Sequence, residues 1–194
     1  EEDERVGDRS AVAATLHELA TIAMENGDLD VAERRCDEAL ALARTVGDAI
    51  GAAAALRTLG HVAMRRGDLV RAAAALRDAL ETRAAAGQER FVAPLIADLA
   101  DVARRADCPD DAARFWGAEE ALRGQASSDA SGDPLPGRDE AIEGLRSQLG
   151  PDGFARSYAE GKAGPLRKLA ALLVAALEGR PDDASRPEHR QAHR

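Results

Sequence analysis

The sequence Gly27-Asp28-Leu29-Asp30-Val31-Ala32 returns as Gly67-Asp68-Leu69-Val70-Arg71-Ala72, so the second copy begins 40 residues after the first. Each copy lies between two segments in which apolar residues recur at i, i+3, i+4 and i+7, the spacing of one face of an α-helix. Glycine readily takes the positive φ that ends a helix. Each copy is therefore predicted to be the turn of a helical hairpin.

The same register extends over both helices of the hairpin. In the first helix three copies align, at Leu16, Leu19, Ala20 and Ala23, at Leu56, Leu59, Gly60 and Ala63, and at Ile96, Leu99, Ala100 and Ala103. In the second helix two copies align, at Leu29, Ala32, Cys36, Ala39 and Leu40, and at Leu69, Ala72, Leu76, Ala79 and Leu80. A third copy of the second helix is degenerate. The small residues Ala20, Gly60 and Ala100 are expected where paired helices cross closely.

This pattern resembles the tetratricopeptide repeat, which has a large-then-small pair in its first helix, a glycine at the turn and alanines in its second helix. The matching residues are Leu59-Gly60, Ala63, Gly67, Leu69, Ala72, Leu76 and Ala79. The resemblance implies an all-α fold, an α-solenoid built as a right-handed superhelix of hairpins. The period of 40 residues exceeds the usual length of about 34, and the extra length is expected in the second helix.

Turn chemistry and helical periodicity divide the chain into five parts. We expect a frayed N-terminus at 1–8, three hairpins at 9–124, a flexible loop at 125–137, capping helices at 138–178 and a disordered tail at 179–194. Asp8 or Ser10 is expected to cap the first helix. Pro94 predicts either a first-turn proline or a kink, and Gly150-Pro151 is expected to separate two short helices.

The last predicted helix, at about 165–178, carries a continuous leucine face. Its members are Leu166, Leu169, Leu172, Leu173 and Leu177. Such a face is expected to cap the apolar end of the solenoid. Alternatively, it pairs two chains, in which case the domain is a homodimerisation module.

Composition limits the function classes. The net charge of −9 and the pI of about 5.0 argue against a nucleic-acid interface, which needs a basic patch. No apolar run is long enough to span a membrane, and a cytoplasmic location is expected. Cys36 aligns with Leu76 and is predicted to be a buried apolar thiol. No catalytic motif, metal-ligand spacing or cofactor loop is visible, so we expect no enzyme, no metal and no cofactor.

A second resemblance rests on two later segments, 112–123 (Ala-Ala-Arg-Phe-Trp-Gly-Ala-Glu-Glu-Ala-Leu-Arg) and 154–162 (Phe-Ala-Arg-Ser-Tyr-Ala-Glu-Gly-Lys), separated by a Pro-Leu-Pro loop. They resemble the C-terminal helical region of large actinobacterial transcription regulators, which combine a signalling ATPase module with a LuxR-type or antibiotic-regulatory DNA-binding domain. The resemblance implies an effector-sensing or partner-binding module without catalysis. The sequence departs from those relatives at 165–168, and it has neither a phosphate-binding loop nor a helix-turn-helix.

Two candidate sites follow from these resemblances. First helices line the concave surface of tetratricopeptide solenoids, so a protein-binding groove is expected at His17, Thr21, Arg57, His61, Asp98 and Asp101. The alternative interpretation is that these six residues are ordinary exposed polar residues that bind no partner. A small-molecule pocket is the alternative, formed by Phe115, Trp116, Phe154 and Tyr158. The favoured alternative is that those aromatic residues form a core that joins the last hairpin to the C-terminal helices.

Overall fold

The computed structural model describes residues 2–88, 92–125, 135 and 137–179. In these ranges it contains eight helices and no strand. The helices are α1 (Glu2–Glu25), α2 (Leu29–Val46), α3 (Ala49–Arg66), α4 (Leu69–Ala85), α5 (Ala93–Arg105), α6 (Pro109–Gln125), α7 (Arg138–Ala163) and α8 (Leu166–Glu178). The predicted all-α solenoid of helical hairpins is confirmed.

The predicted turns form as their sequences indicate. Gly27, Gly47, Gly67 and Gly87 all have positive φ, between 68° and 88°. After Gly47 the carboxylate of Asp48 accepts a hydrogen bond from the Gly51 N–H at 2.9 Å, which caps α3. Asp68 caps α4 in the same way. The first three turns therefore end one helix and begin the next within two or three residues, whereas seven residues separate α4 from α5.

Helices pair as α1–α2, α3–α4 and α5–α6, and successive pairs stack through α2–α3 and α4–α5. The predicted small residues lie at the crossings: Ala20 and Ala100 are buried, and a Cβ added to Gly60 would lie 2.9 Å from Leu76 Cγ. Cys36 is fully buried, as its alignment with Leu76 predicted. Burial also raises the pKa of the Cys36 thiol to about 12, so this thiol belongs to the core.

Three details differ from the sequence-based expectations or decide between them. The first helix begins at Glu2, not after Asp8 or Ser10, because the acidic start of the sequence suits a helix N-terminus. The extra length of the repeat is not confined to the second helix, since α2 and α3 both have 18 residues. Pro94 lies in the first turn of α5 and causes no kink.

The C-terminal helices cover the third hairpin. α7 bends at Gly150, whose φ of 70° and ψ of 165° are non-helical, so it consists of two arms at 138–149 and 151–163, as Gly150-Pro151 predicted. α7 packs on α6, and α8 packs on α4 and α6. Residues 126–134 and 136 of the predicted loop, and residues 180–194 of the predicted tail, lie outside the described residues.

The leucine face of α8 is not continuous. Leu173 and Leu177 are buried together with Ala170 and Val174, whereas Leu172 is 55% exposed. Leu172 lies on the side of α8 away from the buried Ala170, Val174 and Leu177, so it points to solvent. The buried part of the face is used inside the chain.

Candidate functional site

Three of the predicted groove residues meet between α3 and α5. Arg57 Nε donates to Asp98 Oδ2 at 2.5 Å, and His61 Nε2 lies 3.0 Å from the same oxygen. The Asp98 side chain is 15% exposed, that of His61 27% and that of Arg57 40%. The carboxylate is therefore largely covered, while the guanidinium and the imidazole still reach solvent.

The charge state of this cluster follows from its hydrogen bonds. Burial raises the pKa of Asp98, but the hydrogen bonds from His61 and Arg57 outweigh it, so the pKa of Asp98 lies below its ordinary value of 3.8. Asp98 is thus a carboxylate throughout the neutral pH range. Its charge is matched by Arg57, and the cluster offers partly exposed donors rather than a free acid.

The cluster repeats a contact made one hairpin earlier. His17 on α1 makes a hydrogen bond with Thr58 on α3, with 3.0 Å between Nε2 and Oγ1. His17 and Arg57 hold the same repeat position, and both contacts join residues 41 positions apart. In both contacts, a polar side chain on the first helix of one hairpin bonds to the first helix of the next hairpin. Its partner there lies one residue after the position that the 40-residue repeat would align with it. Together the two contacts form a polar ladder across α1, α3 and α5.

His17 is held in a partly buried setting. Burial lowers the pKa of His17 below its ordinary value of 6.5, against opposing effects of the Ala54 backbone and Glu18. Thr21, on the next turn of α1, donates its hydroxyl to the His17 carbonyl oxygen at 3.0 Å. These two predicted groove residues thus lie on the α1 end of the ladder.

Asp101 lies on the same helix as Asp98 but takes no part in the ladder. Its carboxylate accepts hydrogen bonds from Arg104 and Arg105 of its own helix, each at 2.7 Å.

One residue of the ladder, Thr58, was not predicted from the sequence, and it is buried at 7% exposure. Alignment of the repeats does not reveal it, because the structure pairs position 17 with position 58, one residue beyond the equivalent position 57.

A second candidate site lies between the two arms of α7 and α6. It is an open cleft of about 840 Å³. Phe154 and Tyr158 line it, with ring centroids 5.0 Å apart. Phe115 and Trp116 do not line it, because both are buried in the core at 1% and 6% exposure. The structure therefore divides the four predicted pocket residues between core and cleft.

Beside the cleft lies a network of ion pairs and hydrogen bonds that the sequence did not reveal, buried at Arg138 and Glu119 and exposed at Glu120 and Lys162. Arg138 donates from Nε to Glu119 Oε2 at 2.8 Å and from Nη2 to the Tyr158 hydroxyl at 2.9 Å. Tyr158 in turn donates to Glu120 at 2.5 Å, and Lys162 donates to the other Glu120 oxygen at 2.7 Å. Burial, then the hydrogen bond to Glu120, raises the pKa of Tyr158 to about 12. The hydroxyl thus stays protonated and orders the cleft wall.

Two glycines explain why α6 and α7 pack so closely. A Cβ added to Gly117 would lie 2.1 Å from the Tyr158 carbonyl oxygen, and one added to Gly161 would lie 1.9 Å from the Arg114 carbonyl oxygen. Both glycines belong to the segments that carry the second resemblance. Those segments are therefore the two sides of one helix crossing.

The family comparison agrees with the first part of this architecture. Residues 11–85, from α1 to α4, match the model of the tetratricopeptide repeat family. The chain thus contains a tetratricopeptide-like domain formed by its first two hairpins. Comparison with curated proteins gives no significant match.

Two further observations concern the described residues only. None of the helices there has the length and apolar character needed to cross a membrane. In the same ranges, no three His, Cys, Asp or Glu side chains gather closely enough to hold a metal ion.

Proposed function

We propose that the chain is a non-catalytic protein-interaction module that binds a peptide or protein segment along the polar ladder of α1, α3 and α5. Tetratricopeptide repeats generally mediate interactions between proteins. The observation that carries the proposal is the Arg57–His61–Asp98 cluster, which spans two first helices and keeps its donors partly exposed.

The chemistry of the ladder suits an extended chain with carbonyl or carboxylate groups. Asp98 already accepts from Arg57 and His61. The partly exposed Arg57 guanidinium has N–H groups left to donate, and the Nδ1 atom of a neutral His61 imidazole can accept a hydrogen bond. Arg57 can present two parallel N–H groups to a carboxylate or to a backbone carbonyl. Because the cluster is fixed by its own ion pair, little side-chain entropy is lost when a partner binds.

Site-specific photo-crosslinking in the source cell tests this proposal. A photoreactive residue at Thr21, at the α1 end of the ladder, is compared with one at Thr45 on α2. The two threonines are matched, because each hydroxyl donates to the carbonyl oxygen four residues earlier. We expect a protein adduct from Thr21 that Arg57→Glu abolishes, and none from Thr45. Equal adducts from both positions would exclude the groove as the binding surface.

The wider context that we propose is a cytoplasmic transcriptional regulator, in which partner or effector binding shifts the arrangement of neighbouring domains. The support is the resemblance of segments 112–123 and 154–162 to such regulators. An immunoblot of the native polypeptide tests this part separately. A band several times larger than the 20.4 kDa of this chain is expected, and a band near that size would contradict it.

The cleft of α7 supports a second candidate function, recognition of a small-molecule effector. The favouring observation is that aromatic Phe154 and Tyr158 line a cleft of about 840 Å³ that also carries three cations and three carboxylates: Arg138, Arg146, Lys162, Glu120, Asp139 and Glu143. A thermal shift against a panel of small organic molecules, zwitterions included, tests it. We expect a stabilising ligand whose effect Arg146→Ala removes, and a panel without any stabilising compound would count against the cleft.

A further inference from the structure

An uncovered apolar face runs along α1. Its members lie on one side of the helix at Val12, Thr15, Leu19 and Ile22. Val12 is 52% exposed, Leu19 48% and Ile22 53%. Three large apolar side chains on one helix face, each about half in water, forgo the free energy that burial would give.

The repeat register shows what this α1 face corresponds to. Forty residues on, α3 has Ala52, Ala55, Leu59 and Val62, and eighty residues on, the N-cap of α5 is Val92 and α5 itself has Leu95, Leu99 and Val102. Seven of these eight residues are buried, and Leu59 is partly buried. What covers them is the second helix of the preceding hairpin, since α2 packs on α3 and α4 packs on α5. The α1 face thus has the composition of a stacking interface without the helix that fills it.

We propose that the α1 face is an internal repeat interface, covered in the native protein by the second helix of a further tetratricopeptide-type hairpin of the same polypeptide. The inference rests on the repeat stack and on the burial of its equivalent positions, not on the groove. It is continuous with an interface that the described chain forms twice.

A second copy of the chain fits this face less well. Every second helix of the described hairpins is already packed on both sides, α2 between α1 and α3, α4 against α3, α5 and α8, and α6 against α5, α7 and α8. In the described residues, the other exposed large apolar side chains lie singly on four different helices, Val31 on α2, Ile50 on α3, Val70 on α4 and Leu172 on α8. The α1 face is therefore the one helix face with several such side chains that a second copy could offer there. That face is bordered by three exposed acids, Asp8, Glu18 and Glu25, and by one exposed cation, Arg9, so a two-fold pair would bring an excess of like charge together.

The same borders define the chemistry of the helix that fits. It needs alanine and leucine on the side facing Val12, Leu19 and Ile22, as α2 has in Ala39, Leu40 and Ala43. Lysine or arginine at its edges would pair with Glu18 and Glu25. Such a helix is amphipathic, and its apolar side must be buried against a partner. This requirement fits a helix of a stacking hairpin better than a free peptide.

Hydrogen exchange tests the proposal on the native polypeptide from its source cell, with the 194-residue chain as the reference. We expect the backbone of α1 to exchange more slowly in the native polypeptide, while α8 exchanges at the same rate in both. Equal exchange of α1 in the two samples would overturn the proposal. So would a native polypeptide no longer than this chain.

Leu19→Arg provides a second measurement, with Leu172→Arg as its matched control, because both leucines are about half exposed in this chain. In the isolated chain neither change should lower Tm appreciably. In the native polypeptide we expect Leu19→Arg alone to lower Tm by several degrees. A homodimer of the isolated chain that Leu19→Arg dissociates would make a second copy the occupant and would refute the proposal, as would equal effects of the two changes.

Discussion

At the scale of single residues, two glycines decide how closely α6 and α7 approach. The carbonyl oxygens of Arg114 and Tyr158 occupy the space that a Cβ would need at Gly161 and Gly117. These oxygens belong to helix backbone and cannot rotate away as a side chain does. The helices would have to separate, which would also disturb the Arg138 network beside the crossing.

Gly161→Ala should therefore destabilise the chain by about 1–3 kcal/mol, the usual cost of overpacking, in spite of the better helix propensity of alanine. Urea unfolding measures the change. The control is Gly144→Ala on the first arm of α7, where a Cβ meets nothing within 4 Å and alanine should stabilise by up to about 1 kcal/mol. Equal effects at the two positions would mean that the crossing is looser than described.

The partly buried position of His17 in the polar ladder predicts that the stability of the chain depends on pH. Its pKa is lowered in the folded state, so between the folded value and 6.5 the unfolded chain binds more protons. Stability should therefore fall as the pH drops below about 6.5. His17→Gln keeps a side chain able to bond Thr58 but does not titrate, and it should remove this part of the acid sensitivity. Tm measured from pH 8 to pH 5 tests the prediction, and parallel curves for the two proteins would contradict it.

At the scale of elements, the turns determine where helices begin, and two aspartates that each follow a turn glycine, Asp28 and Asp48, do so differently. The Asp48 carboxylate caps α3 through the Gly51 N–H, whereas the Asp28 side chain makes no capping hydrogen bond at the start of α2. Asp48→Ala should therefore cost about 1 kcal/mol, as the loss of an N-cap usually does. Asp28→Ala should cost clearly less. Chemical denaturation of both variants measures the difference, and equal losses would show that the effect is the helix dipole alone.

At the scale of the whole molecule, the sequence predicted the helical hairpins that recur but not the contacts that join one hairpin to the next. The 40-residue spacing from Gly27 to Gly67 was enough for the hairpins, their turns and the buried small residues, because each hairpin is local and its pattern recurs. The cross-repeat ladder involves a one-residue offset that alignment of equivalent positions hides. The positions of Arg138 and Glu119 do not recur as a charged pair in the other repeats, so the repeat pattern could not predict their ion pair.

The exposed Leu172 shows the same limit at α8, where helical spacing alone predicted a continuous leucine face. Which leucines are buried depends on how α8 lies across α4 and α6, and this is a property of the assembled stack. α8 therefore ties the second hairpin to the third, beyond the nearest-neighbour contacts that hold a simple solenoid together.

The adjacent pair Leu172 and Leu173 tests whether this tie matters. Leu173 is 1% exposed, so Leu173→Ala should cost about 2–5 kcal/mol, whereas Leu172→Ala should stay within about 0.5 kcal/mol. Because α8 bridges two hairpins, the loss at Leu173 should also broaden the urea transition, as the hairpins begin to unfold separately. A sharp, merely shifted transition for Leu173→Ala would mean that α8 adds stability without coupling the hairpins, and equal costs at the two leucines would mean that α8 is not docked as described.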